Sequence, residues 1–264
     1  MAFDPHMPNL ARMYDFLLGG KDHLAVDRAA VERLAEHIPQ AAGLARANRA
    51  FLQRAVRHLA ASGVRQFLDL GSGLPTQGNV HEVVRDVSPD ARVVYVDHDP
   101  VVATHARALL EEAGRVAFVE ADLLRPAELL DRPEVKGLLD LDEPVGVLLV
   151  SILHFVLDAD DPHRMVKILR DALAPGSYLV LTHAVSSLGR PESEEAVKDI
   201  YRNSSTGGAT GRTREEILAF FGDFELIEPG LVPVTDWRPE EGPLIGEPPL
   251  PGYLLAGAAR KRAA

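Results

Sequence analysis

The sequence predicts an α/β fold, a mostly parallel sheet with helices on both faces. Three observations predict it. Between residues 64 and 182, short near-continuous apolar stretches alternate with amphipathic stretches at helical spacing, and strands apolar on both sides belong to sheets buried on both faces. The first apolar stretch, Phe67-Leu68-Asp69-Leu70, runs into Gly71-Ser72-Gly73-Leu74-Pro75-Thr76, a turn where two residues without a Cβ let the backbone come close to a ligand. The second, Val93-Val94-Tyr95-Val96, ends in Asp97, a carboxylate able to accept two hydrogen bonds from a ribose diol.

In chain order, residues up to Gly63 read as helical, with Leu44, Phe51, Leu52, Val56 and Leu59 on one face. Gly63 supplies a left-handed stop. A strand over 64–70 follows, then a helix with Val80, Val83, Val84 and Val87 inward, and a strand over 92–97. Asp99-Pro100 is a capping residue with proline in the first turn, which starts a helix. Strands are predicted over 115–121, 145–151 and 177–182, with a helix from Asp161-Pro162 that turns Met165, Val166, Leu169 and Leu173 inward. Residues 224–227 form a further strand, and 253–258 return as an antiparallel edge strand. No internal repeat is present.

At 264 residues and 46% hydrophobic, the chain can bury the core of one large α/β domain. We divide it into a helical cap region, 1–63, and a sheet domain, 64–264, with lid insertions at 184–213 and 229–251. The first insertion is polar, with Gly207-Gly208 and Gly211, and is expected to be mobile; the second holds seven prolines and Trp237, and proline stiffens a long loop. Both leave the carboxyl ends of strands, where parallel sheets bind ligands. Residues 9–27 are a third candidate lid: Leu10, Met13, Tyr14 and Leu17 make a short stripe that ends at Gly19-Gly20-Lys21-Asp22.

The absence of cysteine excludes disulfides and thiolate metal sites. Asp4, Arg12 and Asp15 interrupt the N-terminus, so neither a signal peptide nor a membrane span is expected, and the protein is placed in the cytoplasm. A formal charge of -11 argues against the electropositive surface that duplex nucleic acid needs. His81-Glu82-Val83-Val84-Arg85 begins like a zinc helix but lacks the second histidine, and no metal is expected. A small-molecule or protein substrate is the expectation, with small molecules the default.

Asp69-x-Gly71-x-Gly73, Asp97 after the second strand, Ala121-Asp122 after the third and Leu173-x-Pro175-Gly176 before the fifth resemble, in order, the motifs of class I S-adenosylmethionine-dependent methyltransferases. The resemblance covers roughly 64–184 and, more loosely, the final strand pair. The opening Tyr14-Asp15-Phe16-Leu17-Leu18-Gly19-Gly20-Lys21-Asp22 is similar to that of a bacterial family first catalogued as a domain of unknown function and later labelled S-adenosyl methyltransferase. A Rossmann-like methyltransferase sheet with an antiparallel last strand and an N-terminal helical lid is what this resemblance implies, with S-adenosylmethionine as cofactor.

The same resemblance implies roles for residues. Gly71, Ser72 and Gly73 would turn amides toward the methionine moiety, with Asp69 ordering the turn or the amino group. Asp97 would hold the ribose hydroxyls, flanked by His98 and Asp99, while Asp122 and Leu123 would meet the adenine. Ser151, Ile152 and Leu153 would lie beneath the sulfonium, Tyr14 of the candidate lid would contact the cofactor, and Lys21, Asn48 and Arg49 are candidates for the donor's carboxylate. His154 and His183, after the fourth and fifth strands, are the candidate catalytic histidines. The fourth strand lacks an Asn/Asp-Pro-Pro-aromatic ending, which argues against methylation of a base amine.

Alternatives stand beside this. Asp97 and Asp122, taken singly, also fit strand-end or helix-capping carboxylates; Tyr14 and Trp237 also fit ordinary anchors. An NAD(P)-dependent oxidoreductase shares the strand, turn and acid, yet its fingerprint asks for a third glycine where Thr76 stands. An S-adenosylmethionine sensor without transferase activity is the third reading.

Overall fold

The computed structural model describes residues 4–75, 78–109, 114–186, 191–239 and 252–263. Three helices open it: α1 (Leu10–Leu17), α2 (Ala25–His37) and α3 (Ala41–Ala61). The alternation follows as β1 (Gln66–Leu70), α4 (Val80–Arg85), β2 (Arg92–Asp97), α5 (Pro100–Leu109), β3 (Val116–Glu120), α6 (Pro126–Leu130), α7 (Pro133–Leu138), β4 (Gly146–Leu149), α8 (Pro162–Ala172) and β5 (Tyr178–Ala184). The last part comprises α9 (Pro191–Arg202), α10 (Arg214–Ala219), β6 (Glu225–Leu226), β7 (Val232–Pro233) and β8 (Leu254–Arg260).

The strands form one sheet in the order β3-β2-β1-β4-β5-β8-β6, with β7 also paired to β8. Strands β1 to β5 are mutually parallel, and β8 runs antiparallel to β5 from Tyr178↔Arg260 to Ala184↔Leu254. The outer side of β8 is covered by β6 and β7, each two residues long, which leaves little bare edge for another chain to pair with.

Side-chain alternation explains why the strands read as unbroken apolar runs. Phe67, Val93, Tyr95, Leu148 and Val180 face one core with α3, α4 and α5. Leu68, Leu70, Val94, Val96, Leu149 and Leu181 face the other, against α6, α7, α8 and α10. Both faces are therefore buried, and neither face of a strand has to carry polar residues.

The helix signals placed most elements well. Asp99-Pro100 starts α5 and Asp161-Pro162 starts α8, where the Asp161 carboxylate accepts from the Arg164 amide at 3.2 Å. Val87 departs from expectation. Helix α4 ends at Arg85, so Val87 lies beyond its inward face and is exposed. Trp237 is fully buried and meets the Phe51 ring edge-on at 5.2 Å, while Arg54 donates to the carbonyls of Trp237 and Val234. Residues 240–251 of the proline-rich segment lie outside the described residues. The described part of 184–213 carries α9 and is fastened to β5 by Arg212 N–H to Ala184 O and Ser186 N–H to Arg212 O. Among the described residues no helix is long and apolar enough to cross a membrane.

Helix α3 belongs to the main core, whereas Met13 of α1, Val31 and Leu34 of α2 and Ile200 of α9 make a smaller core of their own. An ion pair organises this layer. The fully buried Asp27 carboxylate accepts from the Arg12 guanidinium at 2.7 Å and from the amides of Asn9 and Leu24. Because losing one member strands the other charge in the interior, Asp27→Ala should lower unfolding free energy by about 3–5 kcal/mol. Urea titration of the two proteins checks this, and a loss of less than about 1 kcal/mol would show the pair to be dispensable.

Candidate active site

A cavity of about 430 Å3 opens at the carboxyl ends of the parallel strands, with α1 and α3 also lining it. It spans the point where the strand order reverses, between β1 and β4, the position at which open α/β sheets bind ligands. Its lining includes Tyr14, Asp69, Gly71, Ser72, Gly73, Asp97, His98, Asp99, Asp122, Leu123, Ser151, Ile152 and His154. With Asn48 and Arg49, which also line it, one hollow brings together fifteen of the eighteen site residues expected from the sequence. Lys21, Leu153 and His183 are the three outside its lining.

The turn after β1 differs from expectation in one respect. Its amides do not face the cavity: Gly71 and Ser72 donate to the Val96 carbonyl at 2.8 and 3.1 Å, and Gly73 donates to Asp97 Oδ2 at 2.9 Å. The end of β2 offers these acceptors within reach, so the turn is spent on fastening two strand ends together. Gly71 has φ +71°, and a Cβ there would lie 2.5 Å from Ile152 Cγ1. Only glycine allows the β4 end to pack this closely over the turn.

Asp97 is nearly buried. Its Oδ1 accepts the Asp99 amide at 3.0 Å as Oδ2 accepts Gly73, which leaves one lone pair on each oxygen. Burial raises its pKa above the usual carboxylate value, while the two amides pull it down. Beside it, His98 is half exposed with Nδ1 3.9 Å from Asp97 Oδ1. Asp99 caps α5 through the Val101 amide at 2.7 Å, and its second oxygen accepts from the Asn9 side chain. Asp122 is exposed at the end of β3, its Oδ1 holding the Leu124 amide at 2.9 Å, and Leu123 is buried behind it.

Asp69 is the most perturbed acid here. Its carboxyl is buried, and burial together with the nearby Asp97 pushes its pKa up to about 7 against the pull of Arg49. The Arg49 guanidinium also lines the cavity, 5.9 Å from the Tyr14 ring centroid. Ser72 Oγ is buried without a hydrogen-bond partner among the described residues. A chain of hydrogen bonds supports the opposite wall: the Ser151 amide donates to Thr182 Oγ1, that hydroxyl to Asn48 Oδ1, and Asn48 Nδ2 to Tyr14 Oη, each at 2.8 Å. Tyr14 in turn donates to the Ala45 carbonyl at 3.1 Å. Ser151, at φ +60°, is thereby held in a conformation that serine rarely adopts.

Lys21 is exposed, beyond the turn that follows α1. His183 is fully buried. Arg212 donates to its Nε2 at 2.8 Å, which leaves Nδ1 to donate to the Ala184 carbonyl, and burial lowers its pKa to about 4. The expectation of a catalytic His183 is corrected: both ring nitrogens are occupied by the protein, away from the cavity. Arg212 itself escaped sequence reading. Nearly buried, it also donates to the carbonyls of Leu153 and Val156 and to Asp158, fixing the turn that carries His154. One arginine in a polar, glycine-bearing segment carries no pattern that would have marked it.

The sheet order, the antiparallel β8 and the acids at successive strand ends define a Rossmann-like fold of the class I methyltransferase type. Residues 1–262 match the family model described as S-adenosyl methyltransferase, and the chain belongs to that family. Among solved structures it is similar to a protein from Thermobifida fusca assigned to the methyltransferases, at 46% identity over 98% of this chain and 96% of that one, with TM-score 0.89. A DUF574 family protein from Streptomyces avermitilis is similar at 40% identity, over 98% and 99% of the two chains, with TM-score 0.91. Human N-acetylserotonin methyltransferase in complex with SAM shares the fold at 16% identity, over 97% of this chain and 63% of that one, with TM-score 0.50. No curated protein matches the sequence.

The Asp69 pKa has a measurable consequence. A folded value of about 7, against the usual 3.8, means that the folded state holds this proton more tightly than the unfolded chain does. The stability it contributes is complete below the unfolded value and is lost as pH rises through about 7. Denaturant unfolding between pH 5 and 8 should therefore show wild type losing stability relative to Asp69→Asn as pH increases; parallel curves would disprove the raised value.

Proposed function

We propose that the chain is an S-adenosylmethionine-dependent methyltransferase acting on a small-molecule acceptor. The observation that carries this reading is the convergence of Asp69, Asp97 and Asp122, from the ends of three adjacent parallel strands, on one cavity beside a glycine turn that only a Cβ-free residue can occupy. The residues fit the compound's chemistry. Free lone pairs on Asp97 suit a ribose diol, Asp122 with Leu123 suits an adenine edge, Ser72 Oγ lacks a partner among the described residues, and Asp69 beside Arg49 offers one charge of each sign to an amino acid's two termini.

When bound, that compound supplies an electrophilic methyl group on a sulfonium. The chain's own contribution is placement. Gly71 lets Ile152 pack against the turn, giving the centre of the cavity an apolar wall, and the Ser151–Thr182–Asn48–Tyr14 chain keeps that wall and the overlying helix in register. Asp69 binds the donor's ammonium as a carboxylate, so donor affinity weakens as pH falls through about 7.

The test is a calorimetric titration of S-adenosylmethionine, S-adenosylhomocysteine and NAD against wild type and Asp97→Ala. Both sulfur nucleosides should bind wild type, with affinity about ten-fold or more lower in the variant, the loss of hydrogen bonds to a charged acceptor. Binding of NAD alone would overturn the proposal. Tight donor binding with no methyl transfer to any compound of a broad metabolite extract would point to a sensor.

A further inference from the structure

The cavity extends beyond what a nucleoside donor uses. Adjacent strands lie about 4.8 Å apart, so the ends of β3 and β5, four spacings from each other in the sheet order, are separated by about 19 Å. The acids occupy the β1–β3 side. On the β4–β5 side the lining changes character: His154 and Phe155 follow β4, Ala184 ends β5, and Tyr201 of α9 with Leu34 and Ile38 of the α2 region close the wall. These residues are contiguous. The His154 and Phe155 rings lie 4.3 Å apart, Phe155 meets Tyr201 edge-on at 5.0 Å, and Tyr201 packs in the same apolar cluster as Leu34 and Ile38.

One buried polar group on this wall is left without a protein partner among the described residues. His154 is nearly buried and its Nδ1 has no hydrogen-bond partner, although Arg212 and the Thr210 amide hold the surrounding backbone rigidly. Burial, with His183 and Arg212 adding to it, lowers its pKa well below the usual value, so the ring is a neutral donor and acceptor. Burial pushes the pKa of the Tyr201 hydroxyl up to about 12, so it is a neutral hydroxyl. Buried polar groups are rarely left unpaired in a protein unless a ligand or water completes them.

We propose that the β4–β5 end is the acceptor subsite, shaped for a neutral, planar aromatic compound whose hydroxyl hydrogen-bonds to the His154 ring. The proposal rests on the methyl-transfer reading for its assignment as acceptor. Flat aromatic wall residues favour a flat partner. Among the described residues no lysine lines the cavity, the one arginine that does stands beside Asp69, and Asp160 supplies negative charge, so those residues offer a phosphorylated or carboxylate-rich acceptor no counter-ion. His154 and Tyr201 give the hydroxyl of a neutral ring something to pair with.

The experiment uses the full chain saturated with S-adenosylhomocysteine and three probes: 2-naphthol, 2-methoxynaphthalene and 2-naphthyl phosphate, titrated by calorimetry. We expect 2-naphthol to bind about five- to ten-fold more tightly than the methoxy compound, the worth of one hydrogen bond, and the phosphate to bind more weakly than either. His154→Phe should keep the ring affinity and erase the preference for 2-naphthol. Ile38→Trp, which fills the apolar end, should abolish 2-naphthol binding while S-adenosylhomocysteine binding persists, and it keeps the test decisive should the His154 variant misfold. No 2-naphthol binding to wild type, a phosphate ester bound as tightly, or a preference that survives in His154→Phe would overturn the proposal. Should S-adenosylhomocysteine itself fail to bind while 2-naphthol binds with the expected His154 dependence, the donor reading falls and the aromatic subsite stands.

Discussion

The tether between the end of β2 and the turn after β1 is the constraint on which the site depends. Three successive amides, from Gly71, Ser72 and Gly73, donate to the Val96 carbonyl and the Asp97 carboxylate. A carboxylate that would otherwise be a flexible strand end is thereby fixed in position, and the turn is fixed by the same bonds. The parallel register Leu70↔Val96 puts both ends at one height. Everything else at the cavity is arranged around this joint: Ile152 rests on the glycine, Asp69 is buried behind it, and Asp99 passes its own carboxylate to the start of α5.

Much of this was legible from residues alone, because the signals were local. Apolar strands, the Asp99-Pro100 and Asp161-Pro162 helix starts and the acids at strand ends each occupy a few consecutive positions, and the parallel topology then forces their strand ends to one side. What sequence could not give was the direction of a hydrogen bond. The glycine pattern alone points the turn's amides at a ligand, yet nearby acceptors on β2 take them. His183 lies near the end of β5 and His154 just beyond the end of β4, but Arg212, twenty-nine residues past His183, takes a nitrogen of the first and not of the second. Long-range partners of this kind have no periodicity to betray them.

The ceiling of the cavity obeys a different logic from its floor. The floor is sheet, stabilised by burial on both faces, whereas the helices above it share a small core and rely on polar fastenings: the Arg12–Asp27 pair, the Asn9 contact to Asp99, and the hydrogen-bonded run from Tyr14 through Asn48 and Thr182 to Ser151. Gly20 shows how tightly this layer is drawn in, since a Cβ there would lie 1.9 Å from Asp15 Oδ1. Polar groups at such places cost free energy unless paired, so they specify one arrangement of the helices more sharply than apolar contact alone could.

The small core of that ceiling joins Met13 and Val31 to Ile200, and Ser205 bonds to Pro8 and Leu10. Helices α1 and α2 precede Ile200 and Ser205, which complete their resting place, by most of the sheet domain. Contacts so distant along the chain form late because loop closure must precede them. During synthesis the crevice floor can therefore assemble before these two helices cover it.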